Sequence, residues 1–217
     1  RSSDLFLNDD CFNILPSIEN NSVQLLFTSV PDINDLGLNN DLEQYDDFLN
    51  KALLHFCRIT KDTGFITLCQ SDRKMNGKIF SKHSYLINKM DRLEYPLKDY
   101  KIIVKNNVES KDQFFFPYLH LCIFTRKGRI SRKGDWLRNI LIYKMVKSKI
   151  GSFHVWPAEF VRLVISQLSG ENDLVVDPFA GTGIVPYVAN EMNRKFLGIE
   201  IDKAQYEYSK LWQGNLV

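Results

Sequence analysis

Long apolar runs are missing from this 217-residue chain: none reaches the roughly 18–20 residues that a membrane span requires. No secretory leader pattern stands at the amino end. A membrane is therefore not an expected partner, and the expected location is intracellular (cytoplasm or nucleoid, or nucleus in a eukaryote). Cysteine is scarce. Cys11, Cys57, Cys69 and Cys122 show no C-x-x-C spacing, which argues for reduced, buried thiols and against a zinc ribbon or disulfide framework. His55, His83, His120 and His154 likewise lack metal-ligand spacing, so no metal is expected. His55 and His120 lie in apolar segments and read as packing residues. Net charge is only +2, too small to point to a partner. Repeats, low-complexity tracts and Pro/Gly-rich linkers are also absent, which suggests one unit over residues 1–217. The chain begins at Arg1 rather than methionine, so missing modules are given no weight.

What is present is an alternation of short apolar runs with longer amphipathic stretches, the pattern of an α/β fold with a mostly parallel sheet. Leu5–Leu7, Val23–Thr28, Phe65–Cys69, Lys101–Val104, Leu119–Thr125, Leu174–Val176 and Phe196–Ile201 read as strands. Asp41–Ile59, Ser81–Asp91, Pro157–Leu168, Ile184–Met192 and Lys203–Trp212 read as helices. Gly64 breaks the pattern ahead of the third strand.

The most informative stretch runs from Leu174 to Asp202. An apolar strand enters Asp177-Pro178-Phe179-Ala180-Gly181-Thr182-Gly183, a helix follows, and a second strand ends at Glu200. In a doubly wound sheet, ligands sit beyond the carboxyl ends of strands, where strand order reverses. Gly181 and Gly183 permit close backbone approach. An acid about 20 residues past such a turn suits ribose hydroxyls, which donate well to a carboxylate. A nicotinamide-binding unit would place G-x-G-x-x-G near the start of its domain; here the turn is near the end and Pro186 stands where its last glycine would be.

The string Asp177-Pro178-Phe179-x-Gly181-x-Gly183 with Arg194-Lys195-Phe196-Leu197-Gly198-Ile199-Glu200 resembles the cofactor motifs of the N4-cytosine and N6-adenine DNA methyltransferases. Thr182 and Ile184 depart mildly from the family pattern. Two further blocks share the resemblance. Asn8-Asp9-Asp10-Cys11 through Asn21-Ser22-Val23-Gln24-Leu25-Leu26-Phe27-Thr28-Ser29 is similar to the stretch before the family's S-P-P-Y or D-P-P-Y motif, and His154–Val164 is similar to the helix before its cofactor motif. Catalytic block first and cofactor block last is the permuted, β-type order.

The resemblance implies a Rossmann-like fold with a seven-stranded sheet and one reversed strand. It implies S-adenosylmethionine as cofactor, DNA as partner, and methyl transfer to an exocyclic base amine, with cytosine N4 favoured over adenine N6 because Ser29 heads the motif. The amine's lone pair is delocalised into the ring, so the site must accept its N–H groups, and the base must leave the duplex. The remaining step is an in-line displacement governed by positioning, with no metal. Ser29 and the Val30 carbonyl are the implied acceptors. Asp10, Asp177, Phe179, Ala180, Gly181, Thr182, Gly183 and Glu200 are the implied cofactor residues, with Glu200 on the ribose.

In the catalytic motif Ser29-Val30-Pro31-Asp32, Val30 replaces a proline and Asp32 replaces the stacking aromatic. Three readings of Asp32 stand: another aromatic (Trp156 or one of Phe114–Phe116) stacks instead, Asp32 accepts the amine, or the loop is a remnant. A basic segment over residues 126–150 includes Arg129, Arg132, Lys133 and Arg138, interleaved with Trp136 and Tyr143. It can track phosphates and offer a stacking surface. Because it is short, specificity is expected either to be low or to come from a missing domain or a second subunit. Two alternative functions remain: a non-catalytic nucleic-acid-binding subunit of the same fold, and an RNA or protein amine methyltransferase.

Overall fold

The computed structural model describes residues 5–75, 77–105, 117–131, 136, 138–144, 146–147 and 154–215. The amino-terminal part holds β1 (Leu5–Asn8), α1 (Cys11–Ile14), β2 (Val23–Thr28), α2 (Leu42–Ile59) and β3 (Thr60–Gln70). β4 (Arg73–Met75) and β5 (Lys78–Phe80) pair with each other ahead of α3 (Lys82–Arg92), β6 (Leu97–Lys105) and β7 (Tyr118–Phe124). β8 (Ile140–Tyr143), β9 (Val146–Lys147) and β10 (His154–Val155) follow. The carboxyl part runs through α4 (Ala158–Leu168), β11 (Leu174–Asp177), α5 (Ile184–Glu191), β12 (Lys195–Glu200) and α6 (Lys203–Asn215).

Eight strands make the main sheet, in the order β1-β12-β11-β2-β3-β7-β6-β8. Among them β7 alone runs against the rest, antiparallel to both β3 and β6. The expected seven strands with one reversal are therefore present, and β8 adds an eighth at the edge, parallel to β6. Its four residues are hidden in the sequence by the basic segment around them.

Strands at the sheet centre are apolar on both faces because both faces are covered. Leu25 and Phe27 of β2 pack with Phe160 and Val164 of α4 and Val185 of α5, whereas Leu26 joins Leu49, Leu53 and Phe56 of α2. Helix α2 shows why. Tyr45, Leu49, Ala52, Leu53, Phe56 and Cys57 recur at helical spacing and form one buried stripe. Asp41 caps its start, accepting from the N–H groups of Glu43 (3.0 Å) and Gln44 (3.1 Å).

Gly64 corrects the reading of β3. The strand does not begin after this glycine but runs through it, with a register shift against β2 between Val23 and Leu25. A Cβ at Gly64 would lie 2.8 Å from the carbonyl oxygen of Gln24, so the glycine marks a close backbone approach rather than a break.

The permuted order leaves the two motif strands side by side. β11, near the carboxyl end, lies beside β2, near the amino end, with Val175 opposite Leu25 and Val176 opposite Leu26. From β11 the chain crosses through α5 to β12 on one side; from β2 it crosses through α2 to β3 on the other. The β11/β2 boundary is thus the topological switch point, and both sequence motifs begin at its carboxyl edge.

Candidate active site

A cleft of about 1040 Å³ opens over this edge. One end is lined by Asp10, Phe12, Phe48, Phe179, Gly181, Glu200 and Asp202, the other by Ser29, Val30, Pro31, Asp32, Gln70, Leu119 and Trp156. The two ends are tied underneath: the Thr28 hydroxyl, last in β2, donates to Asp177 Oδ1, last in β11, at 2.7 Å.

At the glycine turn, Gly181 and Gly183 take φ of +54° and +82°, values that strongly favour glycine. A Cβ on Gly183 would meet Ser209 Cβ at 2.9 Å. Glu200, the last residue of β12, holds the turn. Its Oε2 accepts the Gly181 N–H and its Oε1 accepts the Asp202 N–H, both at 2.7 Å. Burial raises the Glu200 pKa above the ordinary carboxylate value, against the pull of these amides. Asp10 caps α1 by accepting the Phe12 N–H at 2.9 Å. Phe179 leans against Phe48 and Phe56.

Of the sequence-predicted cofactor residues, Asp10, Phe179, Gly181 and Glu200 line the cleft. Asp177, Ala180, Thr182 and Gly183 do not; they are buried at the base of the turn and within it, and shape it. Asp177 accepts from Thr28 and from the Phe179 N–H, and burial pushes its pKa up to about 7.

The Ser29–Asp32 loop is held by a side chain that sequence reading passed over. Lys82, in the first turn of α3, is 2 % exposed. Its ammonium donates to the carbonyls of Val30 (2.8 Å) and Pro31 (3.3 Å) and to Asp32 Oδ1 (2.7 Å). Burial lowers the Lys82 pKa, and the facing Asp32 carboxylate opposes that shift. Arg73 pairs with the other Asp32 oxygen at 2.9 Å, and the Tyr45 hydroxyl donates to the Pro31 carbonyl at 2.9 Å. Asp32 is thus neutralised by two cations. A lysine in the first turn of a helix resembles any surface charge in one dimension, and only its carbonyl partners reveal its place.

Ser29 faces Gln70, with Oγ 3.5 Å from Oε1. The Gln70 amide nitrogen is buried without a partner among the described residues. Trp156 stacks on Phe27, centroids 5.2 Å apart, at the same end of the cleft. Cys11 and Cys69 also line the cleft, but burial pushes Cys11 up to about 12 and raises Cys69 as well, so both remain thiols rather than nucleophilic thiolates.

The basic segment needs a correction. Trp136 is fully buried, its Nε1–H donating to Asp99 Oδ2 at 3.0 Å, and Tyr143 packs on Phe160, so neither offers the predicted stacking surface. Arg129 and Arg138 are exposed. Arg132, Lys133 and Phe114–Phe116 lie outside the described residues. Arg126 and Lys127 are engaged by Asp62. Among the described residues no helix is long and apolar enough to cross a membrane.

The sequence model of a family described as DNA methylase, N6_N4_Mtase, matches residues 78–211. The chain is 27% identical to the type II methyltransferase M.HpaI of Haemophilus parainfluenzae over 61% of its length and 35% of that protein's. It is 24% identical to the type II beta methyltransferase M.BslI of Bacillus sp. (strain NEB-606) over 94% of its length and 27% of that protein's. It therefore spans between about a quarter and about a third of the length of these curated relatives. Among solved structures, PvuII DNA methyltransferase (cytosine-N4-specific) superposes with a TM-score of 0.80 at 18% identity, covering 97% of this chain and 86% of that one. The M1.HpyAVI–SAM complex gives 0.73 at 18% identity, covering 97% and 98%. At such identity these two speak for the fold. With the family match over more than half its residues, joined to the motif order and sheet topology above, the chain belongs to the DNA methylase family of amino-methylating methyltransferases.

Proposed function

We propose that residues 1–217 act as one methyltransferase domain that transfers a methyl group from S-adenosylmethionine to the exocyclic amine of a DNA base, cytosine N4 in preference to adenine N6. The observation that carries this reading is the opening of the Gly181 turn and the Ser29 loop onto one cleft at the β11/β2 switch point. The cleft fits the cofactor in size and chemistry: the rings of Phe12, Phe48 and Phe179 offer an apolar wall, and the carboxylates of Asp10 and Glu200 face it as acceptors. When bound, the sulfonium supplies an electrophilic methyl group.

The chain's own residues position the base. Ser29 Oγ and the Val30 carbonyl accept the two amine N–H groups, turning the nitrogen lone pair out of conjugation and towards the methyl. Lys82 uses one lone pair of the Val30 carbonyl and leaves the second for the amine. Gln70, with its unpartnered amide nitrogen, offers a donor to a ring acceptor of the extruded base. Trp156 takes over the stacking surface that Asp32 lacks, and Asp32 serves the loop through Lys82 and Arg73. The cationic pair also offsets the repulsion between Asp32 and phosphate. Exposed Arg129 and Arg138, with Arg132 and Lys133, contact the DNA backbone, and target reading is completed by a second subunit or a further domain.

Paired variants test the assignment. Ser29→Ala is expected to lower methyl transfer while leaving S-adenosylmethionine affinity near wild type, and Glu200→Ala to weaken cofactor binding first. Loss of cofactor affinity in Ser29→Ala would contradict the division of the cleft.

A further inference from the structure

Three ligand-bearing side chains, distant in sequence, converge just outside the cleft. Asp72 follows β3, His83 lies in the first turn of α3, and His120 sits on β7. Their ligand atoms lie within 4.8 Å of one another. Asp72 Oδ1 is 2.7 Å from His83 Nδ1, and Oδ2 is 3.4 Å from His120 Nε2. Tetrahedral zinc with nitrogen and oxygen ligands at about 2.0–2.1 Å holds its ligand atoms about 3.3 Å apart; the His83 and His120 rings are stacked, centroids 3.7 Å apart and 10° from parallel, so one of them must turn for both to face one ion. His83, with 22% of its side chain exposed, has room to turn.

The second observation is the state of His120. This residue is 5% exposed, and its Nε2 has no hydrogen-bond partner among the described residues although a carboxylate oxygen faces it. Its Nδ1 is hydrogen-bonded to the Tyr100 hydroxyl. In the tautomer that carries the proton on Nδ1 and donates it to Tyr100, Nε2 directs a lone pair at the Asp72 oxygen. Two facing lone pairs repel, and a cation between them turns the contact into coordination. In the other tautomer Tyr100 donates to Nδ1 and an Nε2–H faces the carboxylate at 3.4 Å. The Tyr100 contact supplies the outer-sphere orientation that metal-bound histidines generally have.

We propose that Asp72, His83 and His120 form a binding site for a single divalent transition-metal ion of the zinc class, with water in the fourth position. Two imidazoles and a carboxylate suit that class better than magnesium or calcium, which prefer all-oxygen sets. The ion would act as a clamp. Asp72 follows Ser71 and His83 follows Lys82, and both preceding residues line the cleft. Binding would fix the first turn of α3 to the end of β3, and with it the Lys82 ammonium on the Val30 and Pro31 carbonyls. The site takes no part in methyl transfer and stands independently of the proposed base.

The full chain, stripped with chelator and titrated with Zn2+ by calorimetry, is expected to take up one equivalent and to melt at a higher temperature afterwards. His120→Ala and His83→Gln should each lose that equivalent, Tyr100→Phe should weaken it by about 10–100-fold, and Cys122→Ser should keep it. Circular dichroism separates lost binding from lost fold. Co2+ loaded into the unmutated protein gives a check that needs no variant: visible ligand-field bands without a thiolate charge-transfer band are expected. Absence of stoichiometric Zn2+ uptake by the unmutated chain, or its retention in folded His120→Ala, overturns the proposal, as does a thiolate band with Co2+.

Discussion

Replacing Asp177 by asparagine should change how the stability of this protein depends on pH. Asp177 is 4% exposed and accepts from Thr28 Oγ1 and the Phe179 N–H. Burial raises its pKa from 3.8 to about 7 in the folded state. The folded state therefore binds the proton more tightly than the unfolded state, so this group costs stability as pH rises from about 4 to about 7. Three pKa units correspond to about 4 kcal/mol in total, of which about 2–3 kcal/mol falls between pH 5 and pH 8. Asparagine keeps the shape and an acceptor for Thr28 but carries no titrating proton. Urea unfolding of both proteins at pH 5 and pH 8 isolates this group, because other titrating residues cancel in the comparison. The wild type should lose about 2–3 kcal/mol more than Asp177→Asn over that interval. Equal losses in the two proteins would refute the reasoning and show that the native state hosts the carboxylate without penalty.

Two further substitutions probe the loop and the turn. Lys82→Met removes the donor to Val30, Pro31 and Asp32 while keeping apolar bulk, and is expected to cost about 1–3 kcal/mol of stability. It should also reduce methyl transfer with little change in S-adenosylmethionine affinity, read by single-turnover kinetics and calorimetry. Gly183→Ala places a Cβ 2.9 Å from Ser209 Cβ at a φ of +82°, and is expected to cost about 2–4 kcal/mol in urea unfolding.

Features with a local cause were legible from the sequence alone. The α2 stripe from Tyr45 to Ile59 follows from its spacing, and Asp41 announces its start. The parallel arrangement followed from continuous apolar runs such as Leu25-Leu26-Phe27, which make sense only when both faces are covered. The Asp177–Gly183 turn is visible because its two positive φ angles favour glycine in a fixed pattern. Features with a tertiary cause were not legible. Lys82 appears as an ordinary helical charge until its ammonium is seen on two carbonyls. Trp136 appears as a stacking platform until its indole is found on Asp99. Asp72, His83 and His120 come from three elements, so no spacing rule along the chain could join them. The short strands β4, β5 and β8 carry too few residues for alternation to declare itself.

The most direct test of the central claim is the product of the reaction. The protein, shown beforehand to bind S-adenosylmethionine and DNA, is incubated with methyl-labelled cofactor and unmethylated DNA, and the DNA is digested to nucleosides. The account predicts label in N4-methylcytosine, reduced in Ser29→Ala. Label in N6-methyladenine would retain the amine chemistry and overturn the choice of base, whereas no labelled nucleoside would contradict the assignment of this cleft as a working methyltransferase site.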